Sequence, residues 1–171
     1  VGHYASDSYK EPGKAATLNL KDTSVYPFQQ SPNSTKVLKR VCPHPARFRL
    51  EWETTKGEKP VYIWRAIPPS MQYVALGMVA TASAEEPSVE IMRCVPLSWC
   101  KPVDANPVKV WDSTGAGGRT ISIWRVGKLG LMQLGNGSKY PDQMFDLKRN
   151  SFRVKDETAQ EILDEKFEIH Q

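Results

Sequence analysis

Two stretches of similar sequence decide the fold of this chain: Val61-Tyr-Ile-Trp-Arg65 and Ile121-Ser-Ile-Trp-Arg125. A second tryptophan precedes each stretch, Trp52 in the first case and Trp111 in the second. Between the two tryptophans of each pair lies a polar turn that contains glycine, Glu53-Thr-Thr-Lys-Gly57 or Asp112-Ser-Thr-Gly-Ala-Gly-Gly118. Segments rich in β-branched and aromatic residues on both sides of such turns predict two β-hairpins of the same design.

Alternating side chains extend the strand pattern beyond these two stretches. Apolar and charged residues alternate over residues 48–53, with the period of a half-buried strand. Mostly apolar runs follow each hairpin, at residues 73–81 and 129–134. Short strands and 13 prolines predict an all-β fold, an antiparallel sandwich or prism-like module with an internal pseudo-repeat.

The same patterns divide the chain into three parts. We predict a weakly ordered N-terminal segment at 1–20, a single β-rich domain at 21–155 with hairpin units at 47–81 and 108–135, and a helix or tail at 156–171. The last part has apolar residues at three- and four-residue spacing after Thr158-Ala-Gln-Glu161, which has the form of a capping box. This pattern predicts a short C-terminal amphipathic helix. Residues 29–35 are rich in loop formers and are expected to form a loop.

The charge of the chain is unevenly distributed. The net charge is +4, but residues 156–171 hold six acids and one base, so residues 1–155 carry +9. Five bases fall within fourteen residues, and we predict that they form a membrane-facing basic surface: Lys36, Lys39, Arg40, Arg47 and Arg49. A solvated surface of mixed charge is the alternative. We expect no nucleic acid partner.

The sequence offers no arrangement typical of catalysis. The histidines His3, His44 and His170 lie apart from any Gly-x-Ser-x-Gly elbow, which is absent. The glycines of residues 115–118 are not followed by the Gly-Lys-Ser/Thr of a phosphate loop. The three cysteines have no metal-like spacing and are expected to be buried free thiols, with a Cys94–Cys100 disulfide as the alternative. We therefore predict no enzyme, no catalytic residue, no metal and no cofactor.

The tryptophans and the arginines that follow them have different predicted roles. Tryptophans on alternating strands are usually buried, so we predict a structural core that contains Trp52, Trp64, Trp111 and Trp124. Adjacent strand residues point to opposite faces, so an inward tryptophan places the next residue outward. Arg65 and Arg125 are therefore candidate partner-binding residues, and the alternative is that they stack on a neighbouring strand or form a structural salt bridge.

Several ordered motifs resemble a known family. They are Tyr62-Ile-Trp-Arg-Ala-Ile-Pro-Pro69, Tyr73-Val-Ala-Leu-Gly77, Pro87-Ser-Val-Glu-Ile-Met-Arg-Cys-Val-Pro96, Trp111-Asp-Ser-Thr-Gly-Ala-Gly-Gly118 and Ser122-Ile-Trp-Arg125. Together they resemble the vacuolar-protein-sorting-associated repeat family, as in the adaptor-binding region of chorein-type bridge-like lipid transfer proteins. The chain departs from the family pattern at Ala66, at Gln72 and at 126–128, where the second copy lacks Pro-Pro.

The resemblance implies a β-rich module with a role in membrane trafficking. It implies recruitment through proline-containing adaptor peptides and a cytoplasmic location, peripheral at organelle membranes. The chain does not begin with methionine, so we expect it to be part of a longer protein. No stretch approaches the ~18 uninterrupted apolar residues of a transmembrane helix.

Three functions remain open at this point. The first is a non-catalytic β-module for protein interaction within a larger membrane-trafficking or lipid-transfer protein. The second is a module that binds anionic phosphoinositide head groups. The third is lectin-like carbohydrate binding, which only the likeness of the predicted fold supports.

Overall fold

The structure, a computed structural model, describes residues 1–8, 32–115 and 118–148. The predicted C-terminal helix at 156–171 lies outside the described residues. The elements in chain order are α1 (Pro32–Val41), β1 (Arg47–Thr54), β2 (Val61–Ile67), β3 (Tyr73–Val74), β4 (Val79–Thr81), β5 (Val95–Pro96), β6 (Cys100–Pro102), β7 (Val108–Asp112), β8 (Ile121–Val126), β9 (Leu131–Asn136) and β10 (Phe145–Leu147). Two short 3-10 turns, Val89–Ile91 and Leu97–Trp99, complete the described part.

The strands form several antiparallel sheets. Two sheets have three strands, in the orders β1-β2-β4 and β7-β8-β9, and two smaller sheets pair β3 with β5 and β6 with β10. The described part of the chain contains little helix. The predicted all-β, sandwich-like class is therefore confirmed.

The two three-stranded sheets place the tryptophan hairpins in matching registers. In the first sheet Trp52 lies opposite Ile63, and in the second Trp111 lies opposite Ile123. The register shifts by one residue immediately before each of these tryptophans. A bulge of this kind adds one residue to the outer strand and changes which side chains share a face.

Helix α1 was not expected from the sequence. Residues 29–35 are rich in loop formers, yet the helix begins at Pro32, where the fixed φ of proline suits the first helical position. Lys39 and Arg40 lie in its last turn, next to the negative end of the helix dipole. Pro43 follows the helix and cannot continue its hydrogen-bond pattern.

Residues 1–8, the described part of the N-terminal segment, form backbone hydrogen bonds with the rest of the fold. His3 N–H donates to Met78 O at 2.8 Å, and Met132 N–H donates to His3 O at 2.8 Å. Tyr4 forms a bridge with Leu131. Residues 2–5 thus connect β9 to the chain that leads into β4. Backbone hydrogen bonds hold this segment, although its side chains show no alternation typical of a strand.

Three of the four tryptophans predicted in the core are buried, and Trp111 is not. Trp52 packs in a cluster with Ile63, Ile121 and Leu134, while Trp64 packs in a separate cluster with Phe48 and Met92. Ile63 and Trp64 therefore face opposite sides of the first sheet, and both sides are covered. Trp124 is buried as well.

Trp111 is 44% exposed, because β7 is the end strand of its sheet. The bulge places Val110, the residue before it, against the core cluster of Trp52. Trp111 therefore lies at the margin of the core.

Candidate functional site

Strand β7 forms an open edge of the second sheet. It pairs with β8 on one side, and the described residues provide no backbone partner on the other. An unpaired edge presents a row of N–H and C=O groups to a further strand. Within the described residues, the outer backbone edge of β7 is thus unoccupied.

Two exposed apolar side chains lie on one face of this edge. Val108 lies opposite Arg125, and Trp111 lies opposite Ile123. The two β8 residues are two positions apart and share a face, so Val108 and Trp111 share that face as well. They are 48% and 44% exposed. This pair is called the β7 apolar edge below.

The ring of Trp111 packs against the ring of Trp52 in the first sheet. The two rings are 5.7 Å apart between centroids, with 64° between their planes. The indole N–H of Trp52 donates to the backbone oxygen of Arg119 at 3.1 Å. This arrangement holds Trp111 in place while one side of its ring stays open.

The first sheet also ends in an outer strand, β1, but side chains cover two of its backbone groups. Glu86 Oε1 accepts from the Phe48 N–H at 2.6 Å. Arg119 Nη2 donates to the Glu51 carbonyl at 2.6 Å. Side chains that satisfy edge groups block a further strand. Of β1 and β7, β7 therefore offers the freer edge among the described residues.

Three arginines surround Glu51 near the same tryptophans. Arg49 Nη2 and Arg65 Nε donate to Glu51 Oε1 at 2.6 and 2.9 Å, and Arg119 bonds the Glu51 carbonyl. Burial by itself would raise the pKa of Glu51, but the hydrogen bonds and charges of Arg49 and Arg65 outweigh it and lower that pKa. With one acid against three bases, the cluster keeps a positive charge.

The two arginines predicted to bind a partner have different surroundings. Arg65 lies in the cluster at Glu51, with 35% of its side chain exposed. Arg125 donates to the Tyr4 hydroxyl at 3.4 Å and is partly buried. Arg65 thus forms a salt bridge, whereas Arg125 bonds a hydroxyl group.

The predicted basic surface is divided between two elements. Lys36, Lys39 and Arg40 lie on α1, and Arg47 and Arg49 lie on β1. Lys39, Arg40, Arg47 and Arg49 are exposed, and Arg49 also pairs with Glu51.

The three cysteines are free and buried. Burial raises the pKa of Cys42, and it raises the pKa of both Cys94 and Cys100 to about 11. A thiol with so high a pKa is a poor nucleophile at neutral pH. Among the described residues, no group of three or more His, Cys, Asp or Glu residues could hold a metal ion.

Sequence reasoning missed Arg119 and Glu86. Arg119 reaches Glu51 across 68 positions of the chain, and Glu86 reaches Phe48 across 38. Both residues lie in polar connections without periodicity. A contact that depends on how two sheets meet leaves no local signal.

Comparison with solved structures finds a similar fold in another protein. The crystal structure of GNIP1Aa from Chromobacterium piscinae matches with a TM-score of 0.53 and 22% identity, over 72% of this chain. This chain corresponds to only 28% of that one. At this identity the likeness concerns the fold alone. No curated protein matches the sequence.

In the described residues no helix is long and apolar enough to cross a bilayer. The motifs around Trp64 and Trp124 fall within a match to a model of the family described as vacuolar protein sorting-associated protein 62, which extends over residues 1–129. The match covers well over half of the 171 residues and includes the first sheet, β7 and β8. The chain therefore belongs to the vacuolar protein sorting-associated protein 62 family.

Proposed function

We propose that this chain is a non-catalytic β-module that binds a partner protein by accepting an extended peptide along β7. The observation that carries the proposal is the β7 apolar edge, where Val108 and Trp111 stay exposed on a strand whose outer edge has no partner among the described residues. Strand addition supplies affinity through main-chain hydrogen bonds, and pockets for alternate side chains supply specificity.

Trp111 favours a peptide that contains proline. A flat indole ring offers a large apolar surface to a proline ring, and Trp52 keeps that indole from turning away. Proline removes a ladder donor, so it is tolerated where the peptide N–H faces away from β7. The peptide would thus place a proline over Trp111 and pair through its other residues.

The surrounding arginines favour an acidic residue in the same peptide. Arg49 has 61% of its side chain exposed although it bonds Glu51. Guanidinium groups form two parallel hydrogen bonds with a carboxylate, and such bonds are stronger than neutral ones. An acidic side chain near the proline would therefore add affinity and fix the direction of the peptide.

Membership of a vacuolar sorting family supports a place in membrane trafficking. The resemblance to the adaptor-binding region of chorein-type lipid transfer proteins favours an adaptor as the partner, at the cytoplasmic side of an organelle membrane. The matching registers of the two tryptophan hairpins support an internal repeat. No nucleic acid partner and no cofactor is proposed.

An NMR titration tests the proposal. A panel of proline-containing acidic peptides is added to the ¹⁵N-labelled chain, and each peptide is compared with a version in which alanine replaces proline. We expect shifts at β7 amides and a loss of binding of at least about tenfold in Trp111→Ala, as expected for a buried aromatic anchor.

Tyr140→Ala is the matched control. Tyr140 is another exposed aromatic that packs against a tryptophan, with 4.8 Å between its ring and that of Trp124. We expect it to bind peptide as the natural chain does. Equal losses in Trp111→Ala and Tyr140→Ala, or shifts that avoid β7, would reject the β7 edge as the binding site.

A further inference from the structure

A second exposed apolar feature lies at two adjacent loops, apart from the residues of β7. Met71 is 93% exposed and Leu97 is 42% exposed. Leu97 N–H donates to Gln72 O at 2.7 Å, which fixes the two loops side by side. Met71 and Leu97 are called the apolar tip below.

The loop that carries Met71 is held by its own hydrogen bonds. Tyr73 N–H donates to Ser70 O at 3.2 Å, and Gln72 N–H donates to Ser70 Oγ at 3.3 Å. Pro68 and Pro69 restrict the chain that enters the turn. Strand β3 then pairs with β5, which leads directly into Leu97. The fold thus presents Met71 to solvent and gains little packing from its side chain.

Basic residues approach the tip from three elements. Lys148 Nζ donates to Ser98 O at 2.9 Å, next to Leu97. The Tyr73 hydroxyl donates to Arg40 O at 2.7 Å, which brings the end of α1 and Lys39 to the Met71 loop. On the third side, Arg47 pairs in register with Ile67, which precedes Pro68.

The stretches that build this surface are free of acidic residues. Residues 36–50, 67–84 and 91–103 contain no Asp or Glu. Of the acids at their borders, Glu51 pairs with Arg49, Asp104 pairs with Lys101, and Glu86 accepts from the Phe48 N–H, while Glu85 and Glu90 are exposed. The described stretches that form the tip therefore combine apolar residues with bases and contain no acid.

We propose that the apolar tip docks this chain on an anionic lipid bilayer. Met71 and Leu97 enter the interface between head groups and acyl chains, while Lys39, Arg47 and Lys148 lie against the head groups. Neither contribution suffices alone, because a small apolar area and a few surface bases each give weak, reversible binding. Together they bind in proportion to the anionic lipid content.

The shape of the tip favours a bilayer over an acidic protein. A side chain that is 93% exposed projects from the surface and lines no groove. A protein partner would need a matching hollow for it, whereas a fluid interface accepts a projecting side chain without a preformed site.

Flotation of the full chain with lipid vesicles tests this proposal. The vesicles are phosphatidylcholine alone or phosphatidylcholine with about 30 mol% phosphatidylserine, at about 0.1 M and about 0.5 M salt. We expect binding to the anionic vesicles at low salt and little to the neutral ones. Each of Lys39→Gln and Lys148→Gln should weaken binding about fivefold, the loss typical of one base at a charged surface.

The double variant Met71→Ser, Leu97→Ser tests the apolar contribution, and Val61→Ser is its control. Val61 is also an exposed apolar residue, 36% exposed, but it lies at the other end of the β1–β2 hairpin from Arg47. We expect the double variant to lose at least about tenfold in vesicle binding and the control to bind as the natural chain does. Circular dichroism establishes that each variant is folded.

Three results would overturn the proposal. The first is equal binding to neutral and anionic vesicles. The second is unchanged binding in the folded double variant, which would mean adsorption by charge alone. The third is absence of vesicle binding, or binding to polyglutamate in its place, which would assign the surface to an acidic protein. Peptide binding at β7 is measured with separate probes, so either proposal can fail alone.

Discussion

The indole rings of Trp52 and Trp111 contact each other edge to face, with 5.7 Å between centroids and 64° between planes. The two residues hold matching register positions in different sheets, opposite Ile63 and Ile123. Yet Trp52 is 7% exposed and Trp111 is 44% exposed. The same position is therefore core in one sheet and surface in the other.

The first prediction concerns the stability of these two positions. Trp52→Ala should lower the free energy of unfolding by about 3–5 kcal/mol, because it leaves a cavity in a cluster of buried side chains. Trp111→Ala should cost about 1 kcal/mol, mainly the loss of the aromatic contact. Urea denaturation followed by circular dichroism measures both. Equal costs would contradict the different burial of the two rings.

The indole N–H groups of the buried Trp64 and Trp124 donate to hydroxyl groups at different positions in the two sheets. Trp64 Nε1 donates to Thr81 Oγ1 at 2.9 Å, and Trp124 Nε1 donates to Ser122 Oγ at 2.7 Å. Tyr62 pairs with Thr81 in the first sheet, and Ser122 pairs with Gly135 in the second. The hydroxyl thus lies on the third strand in one sheet and on the middle strand in the other.

The second prediction concerns the hydroxyl group that accepts the hydrogen bond of Trp124. Ser122→Ala should destabilise the fold by about 1–3 kcal/mol, since Ser122 is fully buried and the Trp124 N–H loses its acceptor. The added methyl group of Gly135→Ala would not restore the lost stability, because a Cβ there would lie 2.6 Å from Trp124 Nε1. Urea denaturation gives the change, and Ser138→Ala, at an exposed turn residue, is the control. An unchanged midpoint in Ser122→Ala would show that another group accepts this bond.

The sequence was sufficient to predict the longer strands but not which of them are edges. Alternation over residues 48–53 and the two Trp-Arg stretches correctly indicated β1, β2 and β8, because these strands bury at least one face. Trp111 is exposed because β7 is an outer strand among the described residues, and no local sequence pattern indicates that position. Family membership likewise followed from ordered motifs.

Local sequence patterns could predict neither the arginine cluster at Glu51 nor helix α1, and the reasons differ. Arg119 meets Glu51 only because the turn before β8 reaches the first sheet. Helix α1 contains Asn33, Ser34 and Thr35, whose intrinsic preference is for caps and turns. Its later residues Leu38 and Val41 pack against a buried cluster that includes Cys42 and Leu76. Tertiary packing therefore outweighs the local preference.

The third prediction concerns Glu51 and pH. Arg49 and Arg65 lie directly opposite each other, and the Glu51 carboxylate bonds both. Glu51→Gln should cost about 1 kcal/mol at pH 7, a modest value because solvent reaches Arg49 and screens the pair. Since folding lowers the pKa of Glu51, its contribution is present above the unfolded value of about 4.3 and is lost as pH falls through the folded pKa.

The difference in stability between the natural chain and Glu51→Gln should therefore shrink on acidification. Urea denaturation at about pH 7 and about pH 3 measures it. Glu58→Gln is the matched control, because Glu58 is an exposed acid in the β1–β2 turn. A difference that stays constant between the two pH values would show that the carboxylate charge of Glu51 contributes nothing.

The last prediction concerns the buried thiols. Folding raises the pKa of Cys94 and Cys100 to about 11, because burial penalises the thiolate. A group whose pKa is raised on folding stabilises the fold below its unfolded value, about 8.5, and this stability is lost as pH rises towards the folded value. The free energy of unfolding should thus fall between about pH 8 and about pH 11, and it should fall less when both cysteines are replaced by alanine.

At about pH 8 a disulfide reagent should modify no described thiol until denaturant is added. Rapid labelling of the native chain would contradict the burial of the cysteines, since reaction requires an accessible thiolate.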